Sequence, residues 1–87
     1  MTPLKAAKTF KAMLVKKYGK ENTEELSIWN KKKCIEMGYG SGDAAIIWNS
    51  GPYDWAITES MTDFAFGLDG VLAEPWNGTI LNFYKNG

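Results

Sequence analysis

Asp43-Ala44-Ala45-Ile46-Ile47-Trp48-Asn49-Ser50-Gly51-Pro52-Tyr53-Asp54-Trp55-Ala56-Ile57-Thr58-Glu59-Ser60 is the stretch whose reading decides the fold of this 87-residue chain. Two runs rich in β-branched and aromatic residues flank Asn49-Ser50-Gly51-Pro52, a cluster that punctuates strands far more often than it sits inside them. A glycine can adopt φ > 0 without a Cβ clash, and Pro52 fixes its own φ and biases Gly51 away from the helical region, so the stretch predicts a β-hairpin. In its second run Tyr53, Trp55 and Ile57 alternate with Asp54, Ala56 and Thr58, which leaves one apolar side. In its first run Ala45 and Ile47 face one way and Ala44, Ile46 and Trp48 the other. Both faces are apolar, and this run is expected at the centre of a sheet.

Downstream, Asp69-Gly70 is a strong turn signal, and Val71 to Glu74 reads as a short extended segment ended by Pro75. Asn77-Gly78 turns the chain into a final strand, Thr79 to Lys85, with Leu81 and Phe83 on one face and Ile80 and Tyr84 on the other. Asn77-Gly78-Thr79 also matches the glycosylation acceptor pattern, but the turn is the reading that the absence of a secretory signal favours.

Upstream, Thr2 and Pro3 suit the cap and first turn of a helix that runs from Leu4 to Tyr18 and stops at Gly19. Leu4, Ala7, Phe10, Met13, Leu14 and Tyr18 form one stripe, while Lys5, Lys8, Lys11 and Lys16 lie elsewhere on the wheel. A second helix is predicted from Asn22 or Thr23, because Asn22 and Glu25 match a capping box. Its periodicity is poor: Leu26, Trp29 and Met37 share a side opposite Ile28 and Ile35, so the helix is buried on two faces or breaks near Asn30. Gly38-Tyr39-Gly40-Ser41-Gly42 has none of the strand, helix and lysine context of a phosphate loop and reads as the connection from helix to sheet.

These elements predict an α+β fold, two N-terminal helices packed on one face of a three- or four-stranded antiparallel sheet as a two-layer sandwich. One domain spans residues 1–87, with a helical part over about 1–38 and a sheet part over about 43–87. Hydrophobic residues at 45% place the chain among folded globular proteins. No apolar run reaches the roughly 20 residues of a membrane span, and Cys34 is a lone cysteine expected as a small buried hydrophobe, so a reducing, cytoplasmic setting is expected.

The chain has no histidine, arginine or glutamine. General acid or base work would fall to carboxylates with no paired spacing, and one cysteine without histidine does not make a zinc site, so neither catalysis nor a metal or cofactor is expected. Charge is segregated: residues 1–33 carry nine of the ten lysines, whereas residues 34–87 hold seven carboxylates against Lys85. Two binding readings use opposite ends of this map.

The first is a protein-binding module that docks on a larger protein or nucleoprotein through an aromatic and acidic surface of Trp48, Tyr53, Asp54, Trp55, Glu59, Asp63, Asp69, Glu74 and Trp76. The alternative is a nucleic-acid binder that uses Lys5, Lys8, Lys11, Lys16, Lys31, Lys32 and Lys33, a reading disfavoured by zero net charge and the missing arginine. Head-to-tail pairing of basic and acidic halves would also allow a homo-oligomer. In small size, single domain, segregated charge and lack of enzyme signature the chain resembles, in general character and through no specific motif, phage-encoded inhibitors of bacterial defence such as anti-CRISPR proteins. That resemblance implies the first reading.

Overall fold

The computed structural model describes residues 2–38, 42–47, 70–77 and 80–85. Helix α1 spans Pro3–Tyr18, a 3-10 turn follows at Glu21–Thr23, strand β1 is Ser27–Asn30 and helix α2 is Lys31–Met37. Strands β2 (Ala44–Ile47), β3 (Val71–Asn77) and β4 (Ile80–Lys85) complete what is, among the described residues, a four-stranded antiparallel sheet in the order β1-β2-β4-β3. The α+β class and the antiparallel sheet are therefore as the sequence predicts.

Helix α1 forms where its signals lie. Thr2 Oγ1 accepts from the Lys5 amide at 3.2 Å, Pro3 occupies the first turn, and Gly19 ends the helix at φ 90°. Ala6, Ala7, Phe10 and Leu14 are buried against the sheet, with Leu4, Met13 and Tyr18 at the margin. This is the predicted stripe, joined by Ala6. Phe10 meets Phe83 of β4 edge-on, with ring centroids 6.0 Å apart at 61°, the quadrupole-favoured arrangement for an aromatic pair.

The second helix differs from expectation. Its capping box at Asn22 is not used as a helix start; a 3-10 turn forms instead, sealed by the Thr23 hydroxyl donating to the Gly19 carbonyl at 2.9 Å. The chain then extends as β1, so sheet begins inside the stretch read as helical. Ser27 to Asn30 pairs with Ile47 to Ala44, which explains the poor helical periodicity: Ile28 and Trp29 serve opposite faces of a strand rather than opposite sides of a helix. Asn30 is the actual cap. Its Oδ1 accepts from the Lys33 amide at 2.9 Å, and Gly38, left-handed at φ 68°, closes α2 by donating to the Cys34 and Ile35 carbonyls.

The two helices do not share a face. Ala44, Ile46, Leu81 and Phe83 pack with α1, whereas the alternating Ala45 and Ile80 pack with Cys34 of α2, flanked by Trp29 and Ile47. Thus α1 makes the predicted two-layer contact and α2 covers part of the opposite side. Ala44, Ala45 and Ile46 are wholly buried, and β2 is interior to the sheet as expected. Both of its edges are occupied, by β1 and by β4, so the neighbour of Ala44–Ile47 is not the second run of the predicted hairpin; Trp48 to Asp69 lies outside the described residues.

Strand β3 continues through Pro75 instead of ending there, with a register shift between Pro75 and Asn77. Among the described residues β3 lies at the edge of the sheet, where a proline within a strand is tolerated. The Phe10–Phe83 contact joins α1 to the interior strand β4. Phe83→Ala is expected to lower unfolding free energy by about 3–5 kcal/mol, read from urea denaturation monitored by circular dichroism; a loss of under about 1 kcal/mol would show that α1 is held elsewhere.

Candidate interaction surfaces

Strand alternation places Leu72 and Glu74 on the sheet face opposite α1, since Val71 and Ala73 pack toward α1. Leu72 is 46% exposed, and on α2 Ile35 and Met37 are 68% and 43% exposed. These are large apolar side chains facing water, outside the core built on Phe10, Leu14, Ile46, Leu81 and Phe83. Glu36 and Glu74 are exposed with them. Of the predicted aromatic and acidic set, Glu74 and Trp76 fall within β3, with Glu74 opposite Asn82. Trp48, Tyr53, Asp54, Trp55, Glu59, Asp63 and Asp69 lie outside the described residues.

The predicted lysine set divides in two. Lys5, Lys8 and Lys16 are exposed on α1, with Lys11 half-buried; Lys17, outside that set, is also exposed, its Nζ 5.4 Å from the Tyr18 ring centroid. Lys31, Lys32 and Lys33 form the first turn of α2, on the helix that packs against the other side of the sheet. Cations there oppose the helix dipole, and Lys31 is partly compensated by Asp43, Nζ to Oδ1 3.4 Å.

Asp43 and Gly42 organise a corner that the sequence reading did not single out. The Asp43 amide donates to the Phe83 carbonyl at 2.8 Å, and its Oδ2 accepts from the Lys85 amide at 2.9 Å. That amide bond first, and Lys31 after it, hold the Asp43 carboxyl below its ordinary pKa. Beside it, Asn82 is wholly buried. Asn82 Nδ2 donates to Tyr84 Oη at 3.2 Å, while Oδ1 has no partner among the described residues. A Cβ on Gly42 would lie 2.8 Å from that Oδ1 and 3.0 Å from the Ala44 carbonyl oxygen, so a side chain here forces the buried Asn82 to shift. The two signals available in sequence were a glycine two residues before a strand and an asparagine within an apolar one.

Cys34 is wholly buried, as expected of a small hydrophobe. Burial pushes its thiol above the ordinary pKa, which keeps it protonated and unreactive near neutrality. Among the described residues no three histidine, cysteine or acidic side chains gather to hold a metal, and no helix is long and apolar enough to cross a membrane. Comparison with family models, curated proteins and solved structures returned no match.

Two outcomes test this corner. A depressed carboxyl pKa contributes stability that is present above the unfolded value of about 4 and is lost as pH falls through the folded value. Asp43→Asn is therefore expected to be less stable than wild type near neutral pH, with the two converging in acid, in thermal melts taken as a pH series. Gly42→Ala is expected to destabilise by about 1–3 kcal/mol through overpacking, and Asn82→Ala in the same chain should recover part of that loss. Additive losses in a double-mutant cycle would disprove the contact.

Proposed function

We propose that the chain is a non-enzymatic protein-binding module, of the kind represented by small phage-type inhibitors, that docks on a larger protein or nucleoprotein. The observation that carries this reading is the exposure of Ile35, Met37 and Leu72 together with Glu36 and Glu74. Exposed apolar side chains with a carboxylate near each in sequence, Glu36 between Ile35 and Met37 and Glu74 two residues after Leu72, suit a partner whose own apolar surface is bordered by lysine or arginine. Burial of a Leu or Ile side chain contributes about 1.5–3 kcal/mol, so two or three anchors supply much of a specific interface. The acidic excess after residue 33 adds long-range attraction to a basic partner and speeds encounter. The absence of histidine and arginine leaves binding as the chemistry this composition serves best.

Affinity capture from host lysate with wild-type protein, followed by capture with Ile35→Ser and Leu72→Ser variants, tests the reading. A stoichiometric protein partner is expected for wild type, reduced at least tenfold by the variants while their circular dichroism stays unchanged. Retention of the partner by both variants would place the interface elsewhere, and no partner at all would refute a binding module.

A further inference from the structure

We propose that the solvent crest of α1 binds the phosphate backbone of double-stranded nucleic acid without reading base sequence. The site is one helix face, not the pooled lysines of the basic half, and it stands independently of the protein-binding reading. Since Ala6, Ala7, Phe10 and Leu14 turn inward, a 100° step per residue puts Lys5, Lys8, Thr9, Ala12 and Lys16 on the outward side. All five are exposed. The helix contains no Asp or Glu, and its lysines take no part in an ion pair among the described residues, where Lys31 pairs with Asp43. Among the described residues the crest is thus uncompensated positive charge.

Its geometry favours a stiff polyanion. Lys5 and Lys16 stand about 16 Å apart along the axis at 1.5 Å per residue, a span of roughly five phosphates on one strand of a duplex. Thr9 and Ala12 are short, so nothing between the cations holds a rigid backbone away. Packing of the inner face on the sheet fixes this line before binding, which lowers the ordering cost. The crest carries no aromatic side chain on which single-stranded bases would stack. It carries no bulky apolar group to insert into a lipid surface, because the helix's apolar stripe is spent on the core. Neither Arg, Asn nor Gln is present there to read base edges. Lys31, Lys32 and Lys33 are excluded from the same site, since α2 packs against the opposite side of the sheet.

Fluorescence anisotropy with a labelled mixed-sequence duplex, over about 50–200 mM salt, tests the proposal. Wild type is expected to bind in the micromolar range or weaker at low salt. The slope of log affinity against log salt should be near −3, at about −0.9 per lysine engaged. A Lys5→Gln, Lys8→Gln, Lys16→Gln triple variant should lose at least tenfold in affinity, whereas Lys31→Gln, Lys32→Gln, Lys33→Gln should stay within twofold. If the α1 triple variant loses its wild-type circular dichroism, Lys8→Gln alone is used and should reduce the slope by about 0.9. Absence of duplex binding at low salt, equal loss from both triple variants, or tighter binding to phosphatidylserine vesicles or to polyglutamate than to the duplex would each overturn it.

Discussion

Strand β2 carries apolar side chains on both faces, and that requirement shapes everything around it. A strand with one polar side can border water; Ala44, Ala45 and Ile46 are wholly buried, so the sheet must be covered twice. Helix α1 supplies one cover through Ala6, Ala7, Phe10 and Leu14. Cys34 of α2, with Trp29, Ile47 and Ile80, supplies part of the other. Two alanines side by side in β2 leave room for these approaches: Phe83 lies beside Ala44 and reaches Phe10, while Trp29 lies beside Ala45. Large residues at 44 or 45 would push a helix off the sheet.

The double covering also sorts the charge. Each helix brings its own lysines to its own side, so a basic half in sequence becomes two separate cationic surfaces in space. One is the lysine crest of α1; the other is the first turn of α2, tied to the sheet corner through Lys31 and Asp43. Asp43 shows how closely the second is integrated, because its carboxylate also accepts from the Lys85 amide. The exposed apolar groups Ile35, Met37 and Leu72 lie outside the α1 cluster. A polyanion on α1 and a protein partner elsewhere would therefore not compete for the same side chains.

Local signals were legible wherever they were strong and did not conflict. Thr2, Pro3 and Gly19 bound α1 through cap geometry that depends on neighbours within one turn, and the alternation of Leu81 and Phe83 with Ile80 and Tyr84 predicts both faces of β4. Between residues 22 and 37 local signals conflicted. Asn22 with Glu25 has the form of a capping box, yet Asn30 caps the helix, because pairing of Ile28 and Trp29 with Ile46 and Ala45 outweighs the helical preference of a few exposed charged residues. Pro75 likewise reads as a strand end, but among the described residues β3 is an edge strand, where proline is tolerated.

The sequence by itself determined the α+β class, the first helix and its inward stripe, the interior position of β2, and a set of side chains without histidine or arginine. These follow from composition and from contacts between residues close along the chain. Only the tertiary structure decided that β1 fills one edge of β2, that the helices lie on opposite sides, and that Gly42 closes on Asn82. Each depends on which distant segment arrives beside a strand, and a strand's hydrogen-bonding edge carries no side-chain pattern that names its partner. Strand order was for that reason unreadable from the turn signal of Asn49 to Pro52, and with it the division of the lysines between two surfaces.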